Sequence, residues 1–164
     1  MKLIYSRPIL KDLSQGSRLA FVRQFRTLSQ DEVAKQLGAT GENRRRTVTR
    51  YEKGDRNPEE CRTKKLAEIL DVKYEAIKRY DYKSPIDIIY TLLWLEELYP
   101  NYHFDLDEVK SLNDENVNII KNFLYDWELM KVKRKKKEIR YSEYIEWKIN
   151  FSLEDNDHEW DKED

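Results

Sequence analysis

Two short amphipathic segments, each closed by a glycine, constrain the fold of this 164-residue chain more than any other feature. The first runs from Ser29 to Gly38 and the second from about Arg44 to Gly54. Ser29 followed by Glu32 matches a capping box, in which each residue satisfies an exposed backbone amide at a helix start. Glycine readily adopts the left-handed conformation that ends helices, so both segments predict short helices with sharp stops.

Helical spacing gives each segment an inner and an outer face. In the first segment Val33 and Leu37 form an apolar stripe, and in the second Val48 and Tyr51 lie three residues apart. Residues with this spacing face the same side of a helix and are expected to point into a core. The spacing places four side chains of the second helix largely outward: Arg45, Arg46, Thr49 and Arg50.

Flanking segments complete a small helical domain. "SRLAFVRQFR", residues 17–26, predicts a preceding helix with Arg18, Arg23 and Arg26 on its outer side. Pro58 suits the first position of a fourth helix, and "KYEAIKRY" predicts a fifth. Few glycines and prolines argue against an all-β protein, so the chain is expected to be mainly α.

An arginine cluster opens the second segment, with Arg44, Arg45 and Arg46 followed by Arg50. Two short helices joined by a polar turn form a helix-turn-helix, whose second helix lies in the DNA major groove. The positive end of a helix dipole attracts phosphate, and arginine pairs bidentately with guanine O6 and N7. An arginine run alone is usually a solvated face, but in this context it predicts DNA binding.

The residues "LSQDEVAKQLG", "TVTRYEKGDRNP" and "KKLAEILDV" occur in that order. Over roughly residues 16–79 the chain resembles the Cro/C1-type (XRE-family) helix-turn-helix transcriptional regulators. The resemblance implies a five-helix, lambda-repressor-like DNA-binding domain over residues 1–80. It also implies that Gln30 contacts phosphate and that Arg56 and Asn57 touch the DNA backbone. The recognition residues it implies are Arg45, Arg46, Thr49 and Arg50.

The interval between the two helices departs from that pattern. Nine residues separate Gly38 from Val48, more than these regulators usually have. Either the turn is longer, or the recognition helix begins a turn earlier. Thr40 or Asn43 can cap the third helix. An extended turn carrying Thr40, Asn43 and Arg44 would reach additional phosphates.

The pattern changes after "DYKSP". "PIDIIYTLLWLEELYPN" predicts a helix that Ser84 caps and Pro85 opens, and it is apolar nearly all round. Such a helix must be covered on several sides, and a second subunit is an expected cover. The expected dimer-interface residues are Ile89, Leu92, Leu93 and Trp94.

The remaining C-terminal sequence predicts a helical accessory or dimerisation domain over residues 84–153. A short strand or an irregular connection is predicted for "YHFDLDE". A long helix with one apolar face is predicted for "NDENVNIIKNFLYDWELMKVKRKKK". Ser142 suits the cap of a last helix, and residues 154–164 form an acidic tail expected to be disordered. "TLLWLEELY" and "EIRYSEYIEWKINF" resemble a subset of such regulators from Gram-positive bacteria and their mobile elements.

Charge divides the chain into unlike halves. Residues 1–80 carry 19 Lys and Arg against 11 Asp and Glu, and residues 81–164 carry 12 against 21. A basic half suits a polyanion. We expect a homodimeric, sequence-specific transcriptional regulator, a repressor, whose partner is double-stranded DNA with a palindromic operator. Two alternatives remain: a switch or antitoxin-like protein whose acidic half binds a peptide or protein, and an adaptor without operator binding.

Other classes of function find little support. The chain has no G-x-x-x-x-G-K-[ST], H-E-x-x-H or G-x-S-x-G motif, so we expect no enzyme. His103 and His158 lie far apart, so we expect no metal and no cofactor. A single cysteine, Cys61, fits a reducing cytoplasm, and charges interrupt every apolar run, which argues against a signal peptide or membrane span. The basic run 131–137 is expected to be the solvated end of a helix rather than a second DNA contact.

Overall fold

The computed structural model describes residues 7–101 and 115–156 of the chain, with side chains from 118 to 154 in the second stretch. Every regular element within these two ranges is helical, which confirms the mainly α prediction. The "YHFDLDE" segment and residues 157–164 of the predicted tail lie outside them. The helices are α1 Gln15–Phe25, α2 Gln30–Gln36, α3 Arg45–Lys53, α4 Glu60–Leu70, α5 Tyr74–Ile77, α6 Pro85–Leu98, α7 Glu115–Lys135 and α8 Tyr141–Ile149, followed by the short 3-10 helix Leu153–Asn156.

The chain divides into two compact units. The first contains the described residues up to Arg79 together with Trp94–Pro100. The second contains Tyr80–Leu93 and the described residues from Asn101 onward. The sequence predicts one uninterrupted segment for each domain, whereas in the structure the last residues of α6 are grouped with the first unit.

Local capping signals place α1 and α2. The Ser14 hydroxyl accepts from the Ser17 amide at 3.2 Å, so α1 begins two residues before the predicted position. The predicted capping box is confirmed: the Glu32 amide donates to the Ser29 hydroxyl at 3.1 Å, and the Ser29 amide donates to the Glu32 carboxylate at 2.7 Å. Gly38, with φ +83°, follows α2 closely as predicted.

Two other predicted helix starts in the first unit are wrong. Neither Thr40 nor Asn43 caps α3; the cap position is Arg44, and no side chain bonds the free amides there. Backbone carbonyls of the preceding turn accept from those amides instead, which removes the need for a polar cap. Pro58 precedes the cap residue Glu59, so it stands outside α4 rather than at its first position.

In the second unit α6 begins at Pro85 as predicted, but the predicted cap of α8 is wrong. Ser142 lies within the first turn of α8. The Arg140 amide donates to the Glu143 carboxylate at 2.7 Å. Because that acidic side chain satisfies the exposed amide, the helix begins before Ser142.

The core of the first unit contains the residues that helical spacing places inward, including Val33, Val48 and Tyr51. Gly16 lies where α1 meets the end of α3. A Cβ on Gly16 would lie 2.5 Å from the carbonyl oxygens of both Tyr51 and Glu52. The absence of a side chain is therefore a condition for this helix contact.

The outward orientation predicted for Arg18 is wrong. Its side chain is 2% exposed and donates to the backbone carbonyls of Leu13, Ala76 and Lys78 at 3.2, 2.9 and 2.8 Å. Buried carbonyls without a donor are costly, and a guanidinium satisfies several at once. Arg18 therefore joins the start of α1 to the end of α5.

Aromatic packing dominates the second unit. Phe123 stacks on Trp127 with ring centroids 5.3 Å apart and meets Phe151 edge-on at 5.2 Å. The indole of Trp127 donates to the Tyr144 hydroxyl at 2.9 Å, and the Tyr90 hydroxyl donates to the Phe151 carbonyl at 2.7 Å. These contacts confirm the apolar face predicted for α7. No helix in the described parts of the chain is long and apolar enough to cross a membrane.

Candidate nucleic-acid interface

The outer face of α3 is cationic. Arg45, Arg46 and Arg50 are exposed, while Val48 and Tyr51 on the opposite face are each 3% exposed. This division confirms the inward pair and the outward position of the three arginines, whereas Thr49, also predicted outward, is half-buried. Because the apolar face is fixed in the core, the arginines can contact a ligand without loosening the helix.

A shallow cleft of ≈ 530 Å³ continues this face past the end of α3. The Arg56 amide donates to the Arg50 carbonyl at 3.3 Å and so turns the chain back after Gly54. Four basic side chains and one carboxylate meet there, an arrangement that attracts a phosphate backbone. The lining residues are Arg46, Thr49, Arg50, Lys53, Asp55 and Arg56.

Lys53 and Asp55 line this cleft but are not among the residues predicted from the sequence. The signal for Lys53 was available, because residues three or four apart share a helix face and Lys53 follows Thr49 and Arg50 at that spacing. Asn57, predicted to touch the DNA backbone, is exposed next to the cleft but does not line it.

Behind the cationic face, the Glu52 carboxylate accepts three hydrogen bonds. The Arg23 Nε donates to Oε1 at 2.5 Å, and Arg23 Nη2 and Gln30 Nε2 donate to Oε2 at 3.1 and 2.7 Å. The Arg23 and Glu52 side chains are only 13% and 9% exposed. This network joins α1, α2 and α3, and no feature of the sequence predicts it.

The predicted site residues Gln30 and Thr49 contact each other. The Thr49 hydroxyl donates to the Gln30 side-chain oxygen at 3.0 Å. With Glu52 on its nitrogen, the Gln30 amide group is held at both ends, and its orientation is fixed by both bonds. One N–H of the Gln30 amide remains for a further acceptor.

The interval between α2 and α3 is a long turn. Eight residues lie between Gln36 and Arg45. The turn itself is therefore longer, and the other alternative, a third helix that begins one turn earlier, does not occur. Gly38 and Gly41 adopt φ of +83° and +85° within it, and the predicted contacts Thr40 and Asn43 are exposed on it.

The last residue of this turn, Arg44, forms a two-bond ion pair with Asp31 on α2. Its Nε and Nη2 donate to the two Asp31 carboxylate oxygens at 2.8 and 2.7 Å. The hydrogen bond from Arg44 holds the pKa of Asp31 below its ordinary value, and the same bond raises the pKa of Arg44. The two side chains are 34% and 45% exposed, so solvent reaches the pair.

Residues 22–77 match a family model described as Helix-turn-helix. The N-terminal segment belongs to the Cro/C1-type helix-turn-helix family. The match spans α2, the long turn, α3, α4 and α5, and so includes the cationic face and the cleft. No curated protein and no solved structure gives a significant match to the chain.

This family consists of DNA-binding transcription regulators, so the helix-turn-helix domain supports binding to double-stranded DNA. In helix-turn-helix domains generally, the second helix of the motif is the recognition helix, and α3 occupies that position in the chain. Among the described residues no group of three or more His, Cys, Asp and Glu side chains could hold a metal ion.

The residues predicted for a dimer interface lie outside the helix-turn-helix match and are largely covered by their own chain. Ile89, Leu93 and Trp94 are 0%, 2% and 4% exposed, and Leu92 is half-buried. The Trp94 indole donates to the Ala76 carbonyl at 3.1 Å within the first unit. A buried side chain cannot contact a second subunit without local opening.

The basic run 131–137 ends α7 as predicted. Lys133, Arg134 and Lys135 occupy the last turn, where cations interact favourably with the helix dipole. Lys131 lies 4.6 Å over the Trp127 ring and 3.0 Å from the Glu128 carboxylate.

Proposed function

We propose that the protein is a homodimeric, sequence-specific repressor that binds a palindromic operator in double-stranded DNA. The observation that carries this proposal is the recognition helix, which exposes Arg45, Arg46 and Arg50 on one face and buries Val48 and Tyr51 on the other. Arginines so placed combine phosphate attraction with bidentate recognition of guanine.

We assign base contacts to the exposed face of the recognition helix and phosphate contacts to its surroundings. Arg46 and Arg50 lie four residues apart on one stripe, and Arg45 and Thr49 lie on the next. Arg56 and Asn57 follow the helix and suit the DNA backbone. The held amide of Gln30 offers its remaining N–H to a phosphate oxygen.

Two subunits follow from the way such helices bind DNA. One recognition helix covers a few base pairs, and two-fold symmetry places a second helix in the next major groove, about one turn of DNA away. Repression is the simpler outcome, because occupancy of a promoter suffices to exclude a polymerase.

For the contact between subunits we propose the outer face of α7. Tyr125, Leu129 and Val132 lie at i, i+4 and i+7 and remain 51%, 44% and 37% exposed. An antiparallel contact with a second copy, centred on Leu129, would bring Asp126 beside the partner subunit's Lys133. The two-fold axis repeats that ion pair, so the charges flanking the stripe are complementary to a second copy of the chain.

Sedimentation equilibrium tests this contact. We expect Leu129→Asp to shift the full-length chain toward monomer, because it places a carboxylate at the centre of the apolar contact. Ile9→Asp changes an equally apolar residue that is 80% exposed and serves as the matched control. An unchanged association constant in Leu129→Asp would remove α7 as the contact.

Selection of bound sequences from a random duplex pool tests the function itself. We expect the full-length protein at moderate salt to enrich a palindrome with half-sites about one turn apart. Salt-sensitive binding without any enriched sequence would reject operator recognition.

A further inference from the structure

The start of the recognition helix lacks the usual means of fixing its position. No side chain caps it, and the turn before it contains two glycines with positive φ. Two amides of the first turn of α3 donate to carbonyls three residues earlier, that of Arg46 to Asn43 at 2.9 Å and that of Thr47 to Arg44 at 3.1 Å. Helix ends held in this way open readily.

The Arg44–Asp31 ion pair ties this end of α3 to α2. Asp31 lies in the first turn of α2, whose own start is fixed by the capping box. Two parallel bonds between planar groups fix direction as well as distance. Arg45 and Arg46 follow Arg44 directly, so whatever fixes Arg44 also fixes the backbone of the first two base-facing residues.

We propose that Arg44 is a positioning residue, which holds the first turn of α3 through Asp31 so that Arg45 and Arg46 meet base edges, and does not itself contact DNA. This inference rests on the proposed function. It also gives the extra residues of the turn a role: they bring Arg44 onto α2.

Similar side-chain hydrogen bonds to the preceding helices occur along the length of α3. Arg44 binds Asp31 at its start, Thr49 binds Gln30 in its middle, and Glu52 binds Gln30 and Arg23 near its end. The Glu52 contacts are largely buried, whereas the Arg44 contact is half open to solvent. Surface pairs contribute little to global stability, so the effect of Arg44 is local, at the turn that it anchors.

Amide hydrogen exchange of the free, full-length protein tests positioning without DNA. We compare wild type with Asp31→Asn and Arg44→Met. Exchange of the Arg46, Thr47 and Val48 amides is expected to accelerate roughly threefold to fivefold in both variants, the range for loss of a partly exposed pair. The Lys53 amide at the other end of α3 is the internal reference. Unchanged exchange at the helix start overturns the proposal, whether or not an operator exists.

A double-mutant cycle on the selected operator separates positioning from direct contact. If Arg44 positions, Asp31→Asn and Arg44→Met each weaken operator binding by a similar factor, and the double variant is no weaker than either. Random-DNA affinity and the salt slope stay at the wild-type values. Lys65→Met removes an exposed cation on α4 and is the charge-matched control.

Direct contact gives the opposite pattern. Arg44→Met then reduces the salt slope by about one unit, and Asp31→Asn tightens binding because it releases Arg44 to the DNA. That result overturns the positioning role. Failure of the random-pool selection counts against operator recognition, while the exchange measurement still decides the role of Arg44.

Discussion

Replacement of Glu52 by alanine tests whether the hydrogen-bond network behind the recognition helix stabilises the helix-turn-helix domain. The change removes the acceptor for two Arg23 donors and for the Gln30 amide. The Arg23 side chain is 13% exposed in the intact protein, and among the described residues the variant leaves it the Leu28 carbonyl, at 2.8 Å, as an acceptor. An unpaired charge in such surroundings is strongly destabilising.

The expected cost follows from this burial. Removing one partner of a buried pair costs about 3–5 kcal/mol, and the remaining bond to Leu28 places Glu52→Ala near the lower end, about 3 kcal/mol. A domain of this size has ~4–12 kcal/mol of stability, so the variant should fold but open far more often. The double variant Arg23→Leu/Glu52→Leu buries no charge and should cost less than Glu52→Ala alone.

Hydrogen exchange of the slowest α1 and α3 amides measures this cost in the full chain, because the two units need not unfold together. Glu60→Ala is the matched control, since Glu60 pairs with Lys64 only at the exposed surface of α4 and its loss should change nothing measurable. A cost for Glu52→Ala below about 1 kcal/mol, the range of surface pairs, would refute the reasoning. So would a double variant Arg23→Leu/Glu52→Leu that costs more than Glu52→Ala alone.

Further predictions concern packing, base contacts and pH. Gly16→Ala should lower the free energy of unfolding in urea by about 3 kcal/mol, because its Cβ would meet two backbone oxygens. Gly41→Ala, strained only by its positive φ, should lower it by about 1 kcal/mol. Equal losses of stability in the two variants would contradict this explanation. Arg46→Ala should weaken operator binding by about 1–3 kcal/mol and random-DNA binding by less, because Arg46 also lines the cationic cleft; an equal loss on both would exclude base contact. Gln30→Ala should weaken binding to all sequences alike, as judged by the same titrations. Hydrogen bonds from the backbone and side chain of Ser29 lower the pKa of Glu32 below its ordinary value of 4.5. The ionised Glu32 carboxylate therefore contributes to folding stability above pH 4.5, and this contribution is lost as pH falls through the lowered pKa. The stability of Glu32→Gln should therefore fall less steeply with decreasing pH than that of the wild type. Identical stability–pH profiles for the two proteins would contradict the role of the carboxylate.

Local signals account for what the sequence predicts well. The Ser29–Glu32 capping box and the glycine after α3 act within a few residues, so their effects can be read without knowing the fold. The same holds for the inward pair Val48 and Tyr51, because helical periodicity alone assigns the face. The cationic face of α3 follows directly from these features.

Contacts between distant segments account for what the sequence analysis missed. Arg18 looks like a surface residue until the end of α5, 58 residues away, supplies a buried carbonyl. Gly16 matters only because α3 crosses α1 at that point. The position of Arg44 next to Asp31 depends on the path of the long turn, which no periodicity describes.

The division of α3 into an anchored side and an exposed side bears on how such a regulator changes its target. Surface substitutions away from buried networks usually alter stability by no more than about 0.5 kcal/mol. Arg45, Arg46 and Arg50 can therefore be exchanged while Tyr51 and Glu52 keep the helix in place. Under the proposed function, new operator preferences are thus reachable by single changes that leave the domain folded, both in natural drift and in laboratory selection.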